Sequence, residues 1–163
     1  MKPDNRDLIR IINTYSDTIL RIAYQHTGNM HDAEDLAQEV FIGLMQKDFS
    51  EFDCEYEKAY IIRATINRCH SFFRKKKQTD IVYLDEIYRN ENEPIFTIEE
   101  RSVLKEISSL PPKYRDVIYL HYFDGYTAKE IAKIMGTTTG TITSQLKRAR
   151  EKLKHLLKEE NYG

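Results

Sequence analysis

The chain has 163 residues, 40% of them hydrophobic and 31% charged, with a formal net charge of -1. That length allows one domain or two small ones, and the balance fits a soluble, helix-rich globular protein rather than a disordered one. No stretch approaches the roughly 18 apolar residues of a membrane span, so direct membrane insertion is not expected. The N-terminal MKPDNRDLIR lacks a signal-peptide core, and Cys54 and Cys69 form no CxxC. A cytoplasmic, reduced chain is expected.

Charge falls in blocks. Residues 1–57 hold 5 basic and 12 acidic residues, net -7, while 58–77 hold 7 basic and none acidic, net +7. Residues 78–112 hold 3 and 8, net -5, and 113–163 hold 10 and 6, net +4. Such alternation suggests two basic surfaces for nucleic acid and acidic surfaces for another partner.

In chain order, the first predicted helix uses Leu8, Ile12, Tyr15, Ile19, Ile22 and Ala23 and ends near Gly28-Asn29. The second covers residues 32–46, with Ala33, Leu36, Ala37, Val40, Phe41, Leu44 and Met45 on one face. Asp35, Gln38, Glu39 and Ile42 fall on another. A polar, aromatic loop (DFSEFDCEYE) precedes a third helix from about Glu57 to Lys77. Ile62, Ile66, Cys69 and Phe73 face its core, opposite a stripe of Tyr60, Arg63, Asn67 and Arg74.

Residues 78–98 lose helical periodicity and carry Asn90, Asn92 and Pro94, which reads as a flexible linker. A second core then begins with Ile98, Val103, Leu104 and Ile107. Pro111 and Pro112 stand where a helix begins, and Asp124-Gly125 forms a turn.

The segment YTAKEIAKIMGTTTGTITSQLKRAREKLK holds two helix-length patterns separated by Gly136. Thr127 and Glu130 form a capping box, Gly136 suits a left-handed C-cap, and Thr138 suits an N-cap. Ile142, Leu146, Ala149, Leu153 and Leu156 mark the inner face of the second helix. Thr143, Ser144, Lys147, Arg148 and Lys154 point outward, as in a helix-turn-helix that enters the major groove. On pattern alone, an αα-hairpin with a solvated basic face remains open. The fold class is therefore all-α: two small helical domains, 1–77 and 99–163, joined by a flexible linker at 78–98, the second containing the helix-turn-helix.

Catalysis has little support. There is no Gly-rich phosphate loop and no HExxH pattern, and the five histidines are scattered. DAED reads as a solvated first helical turn before it reads as an acid–base pair. No enzyme activity, metal, cofactor or small-molecule substrate is expected.

DAEDLAQEVF, YIIRATINRCHSFFRKKK, LPPKYRDVIYLHYFDGYTAKEIAKIMG and GTITSQLKRAREKL, in that order, resemble a bacterial sigma factor of the extracytoplasmic-function (ECF) group. The resemblance implies a first domain for the promoter's minus-ten element and a second for its minus-thirty-five element. It implies core RNA polymerase, promoter DNA and an anti-sigma factor as partners. Asp35, Gln38, Glu39 and Ile42 match the family's docking face for the clamp helices of the largest polymerase subunit, and carboxylates suit a basic coiled-coil partner.

Asn67 matches the asparagine of the region that captures a flipped minus-ten base, and an amide can read a base edge. Arg63, Arg68, Arg74, Lys75, Lys76 and Lys77 are expected to hold phosphates of the separated strand. Tyr60 stands where the family usually has tryptophan, and Ser71 where it has aspartate or asparagine. In the helix-turn-helix the implied DNA positions are Thr127, Gly140, Thr143, Ser144, Lys147 and Arg148, with Arg148 suited to guanine. Thr143 and Gln145 replace the usual arginine or lysine. A freestanding helix-turn-helix regulator is the alternative, and it leaves the acidic helix face without a role. A sequestering interaction protein leaves the two basic surfaces without one.

Overall fold

The computed structural model describes the backbone of residues 5–76 and 96–162 and the side chains of 6–72 and 96–155. All the regular structure among the described residues is helical, in two compact units, the second of which begins at Phe96.

In the first unit, α1 (Asn5–Thr27) turns at Gly28, whose φ of 72° lies in the left-handed region that glycine tolerates. Asn29 then caps α2 (Met30–Leu44), its side chain accepting from the Asp32 N–H at 2.8 Å. That cap moves the start of α2 two residues ahead of the predicted Asp32. Asp53 plays the same part for α3 (Cys54–Lys76), accepting from the Tyr56 N–H at 2.7 Å, so α3 begins before the predicted Glu57. The three helices share a core of Ile11, Tyr15, Ile19, Ala37, Val40, Leu44, Phe49 and Ile61. Ile11 occupies the core position predicted for Ile12, which is 40% exposed. Ile62, Ile66 and Cys69 are buried as the periodicity predicts, while the side chain of Phe73 lies outside the described residues.

The second unit contains α4 (Ile98–Ile107), α5 (Pro112–Tyr122), α6 (Ala128–Met135) and α7 (Thr139–Tyr162). Most of the linker assigned to 78–98 lies outside the described residues, but its last three residues belong to this unit. Phe96 is fully buried, edge-on to Tyr119 and Phe123, and Thr97 closes a capping box with Glu100 at the start of α4. With Phe96 filling the core, Ile98 on the first turn of α4 is left 74% exposed and Val103 is exposed too, contrary to the core role predicted for both. Leu104 and Ile107 are buried as predicted.

Candidate nucleic-acid interface

The helix-turn-helix is built from local signals. Thr127 accepts from the Glu130 N–H at 3.1 Å while the Glu130 carboxylate accepts from the Thr127 N–H at 3.0 Å. Gly136 ends α6 at φ 69°, and Thr138 accepts from the Thr141 N–H at 3.2 Å to open α7. Ile142, Leu146 and Ala149 are buried, which turns Thr143, Ser144, Lys147 and Arg148 outward, all exposed. The Thr143 hydroxyl donates to the Thr139 carbonyl at 2.9 Å. A Cβ added at Gly140 would meet nothing within 4 Å, and its φ is not positive, so this chain's own packing does not require glycine there. The amides of Thr139 and Gly140 come before Ile142, whose N–H is the first to donate to a carbonyl of this helix, and so suit an anion.

Two flanking cations brace α7 rather than project from it. Arg150 donates from Nε to the Tyr122 hydroxyl at 2.7 Å, and Lys152 Nζ lies 5.7 Å from the centre of the Tyr114 ring.

On α3, Arg63, Asn67 and Arg68 are exposed, and Ser71 is half-buried. The side chains of Arg74, Lys75 and Lys76 lie outside the described residues, as does Lys77. Tyr60 is half-buried against the α2–α3 loop, with ring centroids 5.8 Å from Phe49 and 5.9 Å from Phe52. Lys47 Nζ sits 5.1 Å from the centre of the Tyr60 ring and 5.5 Å from that of Phe52. Lys47, Phe49 and Phe52 therefore frame the Tyr60 end of the stripe, although none was singled out from sequence. Phe49, Phe52, Tyr56 and Tyr60 recur at three- and four-residue steps, and that spacing was the available signal.

Asp35, Gln38, Glu39 and Ile42 share the outer face of α2 and are all exposed, Ile42 by 60%. Asp35 lies 3.6 Å from His31 Nε2, and Glu39 lies 3.8 Å from Arg68 Nε. Both are open surface pairs, each worth at most about 1 kcal/mol. The second has a positional meaning: it brings the acidic stripe of α2 beside the basic side of α3.

Beneath these surfaces, a polar network ties α1 to the first turn of α3. The buried Glu57 carboxylate accepts two hydrogen bonds from Arg10, that from Nη1 at 3.1 Å, and one from the Tyr15 hydroxyl at 2.7 Å. The Arg10 hydrogen bond, more than any other influence, holds the Glu57 carboxyl below its ordinary range against the opposing effect of burial. Burial first, then the bond to Glu57, raises the Tyr15 phenol.

Residues 11–79 match the family described as Sigma-70 region 2, and residues 100–153 match Sigma-70, region 4. That pair of regions on two helical units defines a sigma-70-type transcription factor. The chain is 30% identical to ECF RNA polymerase sigma factor SigW of Bacillus subtilis, with 97% of this chain and 92% of SigW covered. It is 27% identical to ECF RNA polymerase sigma factor SigE of Mycolicibacterium smegmatis, with 90% of this chain and 60% of SigE covered. In fold it resembles the sigma factor RpoE of Bartonella quintana, solved in complex with the anti-sigma factor NepR, at a TM-score of 0.69 and 23% identity over 94% of this chain and 98% of that one. The chain belongs to the ECF group of RNA polymerase sigma factors. It is a promoter-directing factor, and its relatives are not enzymes.

Proposed function

We propose that the three exposed surfaces divide the work of promoter recognition. Residues 1–77 bind core RNA polymerase through Asp35, Gln38, Glu39 and Ile42. They hold the opened minus-ten strand along Tyr60, Arg63, Asn67, Arg68, Ser71, Arg74, Lys75 and Lys76. Residues 99–163 read the minus-thirty-five duplex through α7, with Thr127 and Gly140 beside the phosphates and Thr143, Ser144, Lys147 and Arg148 in the groove. Residues 78–98 join the two. The observation that carries this reading is the exposure of an acidic stripe on α2 and of a basic stripe on α7, each set by the helix core behind it.

The division explains how a chain of net charge -1 works on DNA. Its blocks offset one another at long range, so the free protein has little attraction for duplex DNA. Docking the acidic stripe on polymerase leaves the basic surfaces to act. Strand opening needs the same assistance, because unstacking costs about 1.4 kcal/mol per step and one asparagine pocket cannot supply that over several pairs. Work on DNA places the chain in the cytoplasm. An anti-sigma factor completes the partner set, in keeping with the NepR complex of the Bartonella quintana protein.

The test is promoter binding and transcription initiation with and without core polymerase at physiological salt. Tight sequence-specific binding by the chain alone, with no gain from polymerase, would overturn the reading in favour of an independent regulator. Reversing Asp35 and Glu39 to lysine should weaken assembly with core polymerase while leaving helicity intact, because both side chains are exposed.

A further inference from the structure

The network of Arg10, Tyr15 and Glu57 stands where packed apolar side chains would hold the helices together as well. Replacing a buried ion pair by apolar groups is often neutral for stability, so such a pair is better suited to specifying a geometry. Its place in the first unit shows which geometry that is.

Glu57 lies on the first turn of α3 and is 3% exposed, and Ile61 one turn on is fully buried. Both belong to the inner face. Tyr60 starts the stripe that continues outward through Arg63 and Asn67. Tyr60 and Phe52 pack against the core that contains Tyr15, Phe49 and Ile61. Asp53 caps the same turn through the Tyr56 N–H, and the ring centroids of Phe52 and Tyr56 are 4.6 Å apart. Glu57, Tyr60 and the aromatic loop therefore share one end of α3.

Two side chains of α1 reach Glu57. Arg10 spans both carboxylate oxygens, Nη1 to Oε2 at 3.1 Å and Nη2 to Oε1, while the Tyr15 hydroxyl donates to Oε2 at 2.7 Å. The two positions lie about 7.5 Å apart along α1 and about 140° apart around it. Neither a slide of α3 along α1 nor a roll about its own axis keeps both sets of bonds. Apolar packing has no such direction, whereas a two-pronged arginine–carboxylate bond does. A binding surface needs its side chains held within about 0.5 Å.

We propose that Arg10, Tyr15 and Glu57 are positioning residues for the opened minus-ten strand, fixing the end of α3 that carries Tyr60 and the loop before it. The inference rests on the assignment of the α3 stripe to that strand. Glu57 is buried and acidic, so it acts through Tyr60 and its neighbours rather than on DNA.

The test uses the complex of the full chain with core polymerase and a promoter fragment that the parent complex transcribes. The fragment carries the minus-thirty-five duplex with or without a single-stranded minus-ten extension, and the affinity gained from the extension is measured. Tyr15→Phe keeps the buried ring and removes one hydrogen bond, and Arg10→Lys keeps the cation and removes the fork. Each is measured well below its melting temperature, fully folded by circular dichroism. Both should cut the gain about fivefold, with affinity for core polymerase and for the bare duplex as in the parent. A merely structural role would leave the gain of a fully folded variant unchanged. An unchanged gain in both variants, alongside a loss in Asn67→Ala, overturns the proposal and leaves the α3 assignment standing. If Asn67→Ala also matches the parent, that assignment fails and the proposal with it. A loss of core affinity, or an equal loss on both fragments, marks a general loosening of the first unit and overturns the proposal too. Should Arg10→Lys fail to fold, Tyr15→Phe decides by the same comparison.

Discussion

Helices α3 and α7 both carry a polar, basic stripe, yet they are held in place by different means. Behind α7 lie Ile142, Leu146 and Ala149, and its outward Thr143, Ser144, Lys147 and Arg148 stand clear of that core. Behind the first turn of α3 lies a buried carboxylate with three hydrogen bonds, and the outward stripe is itself part of the packing. Tyr60 packs on Phe49 and Phe52, and Arg68 pairs with Glu39. On the proposed roles, recognition and stability are thus separable on α7 and mixed on α3. A rigid duplex can be met by side chains that project freely into its groove, whereas an opened strand has no fixed shape of its own. A surface braced by its neighbours suits that second task.

The largest expected effect tests the bracing of α3. Arg10→Ala leaves the buried Glu57 with the Tyr15 hydroxyl as its one remaining hydrogen-bond donor among the described residues, and should destabilise the first unit by about 2–3 kcal/mol. The pH dependence has a definite sign. Glu57 titrates below its ordinary value, so its stabilising contribution is complete above about pH 4.3 and is lost as pH falls through the lowered folded value. Tyr15 is raised, so its contribution holds below about pH 10 and is lost as pH rises towards its folded value. Thermal unfolding of Arg10→Ala followed by circular dichroism should show the acid limb shifted to higher pH, and Glu57→Gln should remove Glu57's part of that limb. Parent-like curves for both would show that the network does not hold α3.

Next in size is Arg148→Ala, which sharpens the other side of the comparison. It should cost roughly 1–3 kcal/mol of promoter discrimination at one or two base pairs. The melting temperature should barely change, since the side chain is exposed. A uniform loss of affinity across all sequences would make Arg148 a phosphate contact. A drop in melting temperature would show that α7 mixes the two roles as α3 does.

The same contrast governs what could be read from the sequence. In the second unit the helix ends are set by neighbours in the chain: Thr97 with Glu100, Pro112, Thr127 with Glu130, Gly136 and Thr138. The helix-turn-helix and its outward face were accordingly legible. Phe96 was not, because an aromatic residue next to a proline-containing acidic segment declares its burial only through Tyr119 and Phe123, more than twenty positions away. In the first unit the acidic stripe of α2 followed from periodicity. The pairing of Arg10 and Tyr15 with Glu57 did not, since those residues lie 47 and 42 positions away in sequence. Ile11 and Ile12 are adjacent and equally apolar, so only the packing of α2 and α3 decides which one is buried.

The smallest expected effect concerns Gly140, where the two properties should move in opposite directions. The residue lies in the first turn of α7, its φ is not positive, and an added Cβ meets nothing within 4 Å. Alanine there lowers the entropy of the unfolded chain and favours the helix, so Gly140→Ala should stabilise the second unit by about 0.5 kcal/mol, the low end of the usual range because the first turn is less constrained. If α7 approaches the phosphate backbone at its N-terminus, the added methyl stands between that backbone and the amides of Thr139 and Gly140. Affinity of the polymerase complex for minus-thirty-five duplex should then fall several-fold, with base preferences unchanged, because the contact is to phosphate. Melting temperature and promoter affinity measured on the same preparation check both halves. A variant that is more stable and binds as the parent does would place the DNA backbone away from Gly140, leaving recognition to Lys147 and Arg148 further along the helix.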